Sequence, residues 1–223
     1  MHAQSDNHDF FPQNSSAAGK PGIVIIKYNA GNLRSVLFAL DRIGYTAHVT
    51  NHPDEIRRAD KVIFPGVGEA SSAMKFLKDK GLDQLIPSLT QPVLGICLGM
   101  QLMCTYSEEN DTDCLGIFDE IVRRFAPPPG QRGNMNPEFK VPQTGWNSAY
   151  GLKSKLFAGI PEKSFFYFVH GYYAAIGEHT IAVTDYIQPY SSAMYKNNFF
   201  GVQFHPEKSA GLGEQILKNF IEL

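Results

Sequence analysis

The chain has 223 residues, 43% of them hydrophobic, and a formal net charge of −2. That is enough apolar material to bury one full core. The charge excludes the strongly basic surface that nucleic acid or an anionic membrane would need. The three cysteines (97, 104 and 114) are an odd count that makes no disulfide framework and suits a reducing cytoplasm. No apolar run reaches membrane-spanning length, and the N-terminus lacks the basic and apolar regions of a secretory signal.

Residues 1–21 are rich in Gln, Ser, Asn, His and Gly without apolar periodicity. They are expected to form a disordered leader before one domain spanning 22–223. His2 and His8 fall in that leader and are expected to be solvated tail rather than metal ligands. Ile23-Val24-Ile25-Ile26 is a continuous apolar run, the pattern of a parallel strand buried on both faces. Asn32 can cap a helix with Leu33, Val36, Leu37, Leu40 and Ile43 on its apolar face, closed by Gly44. Strands follow over Tyr45–Thr50 and Lys61–Phe64, the latter running into Pro65-Gly66-Val67-Gly68. Helical patterns over about 69–79 and 82–89 precede a strand at 92–96. The alternation predicts an α/β fold with a mainly parallel central sheet, helices on both faces, and ligands beyond the carboxyl ends of the strands.

The second half differs. Ala126–Pro142 carries five prolines and reads as a long surface loop. Short β-rich runs at 165–169, 180–184, 193–196 and 199–204 suggest antiparallel strands attached to the parallel core. Leu212, Ile216, Leu217 and Phe220 form the inner stripe of a last helix, capped near Ser209.

Gly95-Ile96-Cys97-Leu98-Gly99-Met100-Gln101 reads as strand, very tight turn and helix, with Cys97 at the apex. The flanking glycines suit unusual dihedrals and close packing, and the start of a helix favours a thiolate. A buried structural cysteine is the plainer alternative. A thiol nucleophile needs a base, and the base needs an orienter. Gly201-Val202-Gln203-Phe204-His205-Pro206-Glu207 supplies both, with His205 as base and Glu207 as orienter.

These segments resemble the class I (triad) glutamine amidotransferases, and within them the glutaminase subunits of imidazole glycerol phosphate synthase. Gly31-Asn32-Leu33-Arg34-Ser35-Val36, Pro65-Gly66-Val67-Gly68, the elbow, Gly145-Trp146-Asn147, Phe166–Tyr173 and His205-Pro206-Glu207-Lys208-Ser209 carry the resemblance over about residues 22–223. It implies that Cys97 forms a glutamyl thioester, that His205 moves the proton and that Glu207 holds the imidazole. It implies oxyanion donors from Leu98 and the Gly66-Val67-Gly68 loop. It also implies glutamine contacts at Gly99, Gln101, Glu109, His170, Gly171 and Tyr172. No cofactor or metal is implied. The implied partner is a cyclase subunit of barrel fold in a heterodimer, met at Asn29, Asn32, Trp146 and Lys208. Read without the resemblance, Trp146 is a core aromatic beside a turn, His170 a satisfied core or interface histidine, and Lys208 a surface lysine.

The chain departs from the common family pattern at Lys27, where Asp is frequent, at Gln143-Thr144, where His-Met is frequent, and at Gly171, where Ser is frequent. The alternatives to histidine-pathway cyclisation are the same glutaminase chemistry serving surface-sugar amidination, or a subunit without turnover. A thiol protease fits the elbow less well.

Overall fold

The computed structural model describes residues 22–29, 31–126 and 140–223. The leader expected over 1–21 and most of the proline-rich loop expected over 126–142 lie outside the described residues. In chain order the elements are β1 (Ile23–Ile26), α1 (Leu33–Arg42), β2 (Ala47–Thr50), α2 (Pro53–Arg58), β3 (Lys61–Gly66), α3 (Ala70–Asp79) and α4 (Leu82–Leu85). They continue with β4 (Val93–Cys97), α5 (Leu98–Leu102), β5 (Tyr106–Ser107), β6 (Thr112–Asp113), β7 (Ile121–Arg124), β8 (Gln143–Ala149) and β9 (Ser164–His170). The last are β10 (Tyr172–Ala174), β11 (Thr180–Tyr186), β12 (Gln188–Lys196), β13 (Phe199–Val202) and α6 (Ala210–Ile221).

One mixed sheet runs in the order β2-β1-β3-β4-β13-β12-β10-β7-β5-β6, with β11 also paired to β12. From β2 to β13 every pairing is parallel. The burial of β1 on both faces follows from its apolar run: Ile23 and Ile25 join one core, while Val24 and Ile26 join the other. The first core lies under α1 and α6, through Val36, Leu40, Ile216, Leu217 and Phe220. The second lies under the helices between β2 and β5, through Ile56, Met74, Leu77, Leu82 and Leu102. Among the described residues, no helix is long and apolar enough to cross a membrane.

The late strands correct one expectation. β13 is parallel to β4 and antiparallel only to β12, so it completes the parallel core instead of flanking it. Direction is set by the hairpin tip. Asn198 Nδ2 donates to the carbonyls of Leu89 and Gln91 at 2.9 Å each, and Val93 N donates to Asn198 O at 2.9 Å. The tip is thereby docked at the start of β4, and β13 must leave in the same sense. A hairpin of β8 and β9 lies apart from the large sheet and reaches it through a bridge between Tyr150 and Val183.

Two caps also differ from expectation. Asn32 stands at the N-cap of α1 with φ 78° and makes no side-chain cap, because its amide is committed elsewhere. Ser209 begins α6 without capping it. Its hydroxyl donates to His205 O at 2.7 Å and accepts from Tyr167 N at 2.9 Å.

Candidate active site

The parallel register brings the two sequence motifs together. Gly66, the last residue of β3, is the direct partner of Cys97, the last residue of β4. Cys97 takes φ 53° and ψ −111° as the chain turns into α5, a sparsely populated conformation for any side chain other than glycine. The strain therefore sits on the cysteine itself. The glycines around it serve close packing: a Cβ on Gly99 would lie 1.8 Å from Phe64 O, and one on Gly95 would lie 2.8 Å from Met100 N. Gly66 is pressed by the Tyr28 hydroxyl, 2.0 Å from where its Cβ would stand. Gly68 has φ 124° and open space around it, so the loop beyond β3 turns freely where β3 itself cannot.

The end of β13 delivers the remaining groups. His205 is fully buried and its Nδ1 lies 2.7 Å from Glu207 Oε1. A carboxylate oxygen accepts, so Nδ1 carries the proton and Nε2 is the working nitrogen. Nε2 is buried without a hydrogen-bond partner. Burial alone would lower the imidazole's pKa. The negative charge of the Cys97 sulfur, with the hydrogen bond and charge of Glu207, outweighs it and raises the pKa to about 10. Glu207 Oε1 also accepts a hydrogen bond from Asn32 Nδ2, so the residue expected as a helix cap anchors the orienting carboxylate instead. The backbone of His205 is pinned from outside: its N donates to Tyr167 O at 2.9 Å, and Ser209 holds its carbonyl.

A cleft of about 250 Å³ opens over the sulfur, lined by Val67, Gly68, Cys97, Leu98, Gln101 and Glu109 together with residues 169–172. The volume suits a ligand smaller than the roughly 300–1,000 Å³ of drug-sized sites. Gln101 is nearly buried, and its Nε2 donates to Tyr172 O at 2.9 Å and to Gln203 Oε1 at 2.8 Å. Both amide hydrogens are therefore used, and its Oε1 is the free face. Glu109 Oε2 accepts from Ala70 N at 2.8 Å at the start of α3. Burial, only partly offset by that bond, raises its pKa, with Glu69 adding to the effect. His170 is buried, with Nδ1 2.7 Å from Tyr172 O and Nε2 3.2 Å from the Tyr190 hydroxyl. Burial lowers its pKa to about 4, the hydrogen bond to Tyr172 opposing and His205 assisting. It is neutral near pH 7, a wall of the site and no base. Gly99 faces Phe64 beneath the elbow and is absent from the cleft wall.

The surface residues divide. Trp146 is 54% exposed, which overturns the core-aromatic expectation. It lies on the β8–β9 hairpin opposite Tyr167, whose ring it meets edge-on at 6.1 Å, and the Lys208 ammonium sits 5.9 Å from the same ring. Asn29 is exposed and donates to Ser72 O at 3.3 Å. Of the departures, Lys27 and Thr144 are exposed. Gln143 is buried and accepts from the Tyr190 hydroxyl at 3.0 Å, so it belongs to the polar cluster behind His170. Sequence reasoning missed Tyr167 and Gln203. Gln203 had a signal available: it is two residues before His205, on the same face of an extended chain.

The model of the family described as glutamine amidotransferase class-I matches residues 24–223. The chain belongs to that family. It is similar to "Imidazole glycerol phosphate synthase subunit HisH" of Bacteroides fragilis, at 56% identity over 201 residues, 90% of this chain and 99% of the relative. The protein of the same name from Pasteurella multocida is 45% identical over 90% of this chain and 97% of its own length. A crystal structure titled as a glutamine amidotransferase shares the amidotransferase fold with a TM-score of 0.67 at 17% identity, over 90% of this chain and 98% of that one.

Proposed function

We propose that this chain hydrolyses glutamine at Cys97. The ammonia passes to a cyclase subunit of barrel fold, within a heterodimer that makes imidazole glycerol phosphate and an aminoimidazole carboxamide ribonucleotide. The observation that carries the reading is the convergence of Cys97, on its strained elbow, with a buried His205–Glu207 pair and a small cleft over the sulfur. The name carried by relatives of 45–56% identity supports the histidine-pathway partner. Three free cysteines fit a cytoplasmic enzyme.

The chemistry proposed is that of a thiol nucleophile served by an imidazole base and its orienting carboxylate. The Cys97 thiol gives its proton to His205 Nε2, and the sulfur attacks the side-chain carboxamide carbon of glutamine as the carbonyl oxygen takes up negative charge. Backbone N–H groups of Leu98 and of Gly66-Val67-Gly68 stabilise that oxyanion. Collapse breaks the C–N bond, and the His205 Nε2 proton leaves with the nitrogen as ammonia. A water then gives its proton to His205 and its oxygen to the thioester carbon, releasing glutamate and restoring the thiol–imidazole pair. Glu207, held by Asn32, keeps the proton on Nδ1 and stabilises the imidazolium. Gln101, through its free Oε1, accepts from the α-ammonium of the substrate, and Glu109 lines the same cleft. Trp146, Tyr167 and Lys208 present the docking surface to the cyclase, with Asn29 nearby in sequence to the Asn32 anchor.

Cys97→Ala is the decisive experiment. With the cyclase partner present, the variant is expected to lose glutamine hydrolysis by a factor on the order of 10⁴ or more. It should still support cyclisation from free ammonium. Glutamate release at the wild-type rate by the variant would refute the reading.

A further inference from the structure

Behind the sulfur lies a chain of two buried amides, of which the mechanism above uses only the Oε1 of Gln101. We infer that Gln203 is the hydrogen-bond donor that holds the Cys97 sulfur, and that Gln101 fixes its orientation by relaying from the backbone carbonyl of Tyr172. The inference rests on the glutaminase reading and assigns a further residue to the same site.

The direction of the relay is set at its far end. A backbone carbonyl only accepts, so the group of Gln101 facing Tyr172 O at 2.9 Å is its NH₂. The same nitrogen faces Gln203 at 2.8 Å, so that side of Gln203 is its carbonyl oxygen. The remaining end of Gln203 is its NH₂, 3.5 Å from Cys97 Sγ. Turning the Gln203 amide over would set NH₂ against NH₂ at Gln101 and oxygen lone pairs against the sulfur. Gln203 is fully buried and Gln101 nearly so, and no solvent can replace a lost partner cheaply.

Two consequences follow for the nucleophile. A donor aimed at the sulfur stabilises the thiolate over the thiol, the same sense in which His205 acts from its own side. It also restricts where the sulfur can stand. Val169 O also lies 3.9 Å from the sulfur and suits only the protonated thiol as donor. Gln203 therefore selects the deprotonated sulfur, while Gln101 ties that selection to a residue on the cleft wall.

The test compares Gln203→Met, which keeps the length and removes the donor, and Gln203→Glu, which keeps the shape and replaces the donor with an acceptor. The first readout is the pH dependence of iodoacetamide alkylation at Cys97, located by mass spectrometry on the isolated folded chain. Both variants are expected to move the alkylation midpoint upward by about one to two pH units. With the cyclase bound, kcat is expected to fall by about 10- to 100-fold while KM for glutamine changes much less. Gln101→Met keeps Gln203 but removes its orienting partner. It should shift the midpoint in the same direction by less, and it serves if neither Gln203 variant folds. Alkylation profiles that superimpose on wild type in the folded variants would overturn the role of Gln203. If instead Cys97→Ala retains glutaminase activity, it is the glutaminase reading that fails, whatever the profiles show.

Discussion

The parallel half of the sheet, β2 to β13, and the antiparallel remainder with the β8–β9 hairpin solve different problems. In the parallel half, strands end at one edge in fixed register, so Gly66, Cys97 and the approach to His205 are positioned by backbone pairing alone. Close approach leaves no slack there, as the absent Cβ atoms of Gly95 and Gly99 demonstrate. The antiparallel region supplies surfaces: Tyr172 and its neighbours wall the cleft, and Trp146 and Tyr167 face outward. Cys97 and the approach to His205 are carried by the rigid half, and the exposed aromatics Trp146 and Phe165 by the other.

The largest expected effect lies in the rigid half. Gly99→Ala would put a methyl on Phe64 O, and because the clash is with backbone, β3 or α5 must move. A loss of about 3 kcal/mol or more is expected by chemical denaturation, at the upper end of ordinary overpacking. Glutaminase activity should fall with it, since the elbow shifts. A variant as stable as wild type would show that the half is less rigid than argued. Trp146→Ala probes the other half. Truncating an exposed anchor is expected to weaken binding of the cyclase by about 2 kcal/mol, read by calorimetry, and to leave the thermal stability of the chain unchanged. Unaltered affinity would move the docking surface elsewhere. The smallest effect is expected at Gly171→Ser, where an added Cβ meets only Val141 at an ordinary 3.7 Å and no positive φ is imposed. Stability should change by less than about 0.5 kcal/mol. A large loss in thermal melts would erase the contrast between the halves.

The parts legible in the sequence were those whose physics is local. Ile23–Ile26 announced a doubly buried strand by composition, the stripe from Leu33 to Leu40 announced α1 by period, and the Gly-Ile-Cys-Leu-Gly turn announced the elbow. The direction of β13 was not legible, because pairing sense depends on where Asn198 docks, a contact more than one hundred residues away in sequence. Read without the resemblance, Trp146 passes for a core aromatic for a related reason: large aromatics are usually buried, and nothing local says that β8 and β9 form a separate hairpin with an outward face. Asn32 and Ser209 were expected to cap helices because their side chains do so by default. Each was drawn away by a stronger claim, the carboxylate of Glu207 in one case and the backbone of His205 in the other.

The dihedrals of Cys97 have a consequence for how this chain can change. At φ 53° and ψ −111° the position is one that glycine would occupy without strain, whereas a side chain there costs on the order of 1–3 kcal/mol. The residue that chemistry demands and the residue that the backbone would choose are therefore different. Drift toward a more robust fold has a short route open at this point, and that route removes the sulfur. A lineage relieved of glutamine hydrolysis, but still required to dock, would keep the surface around Tyr167 and surrender the elbow first.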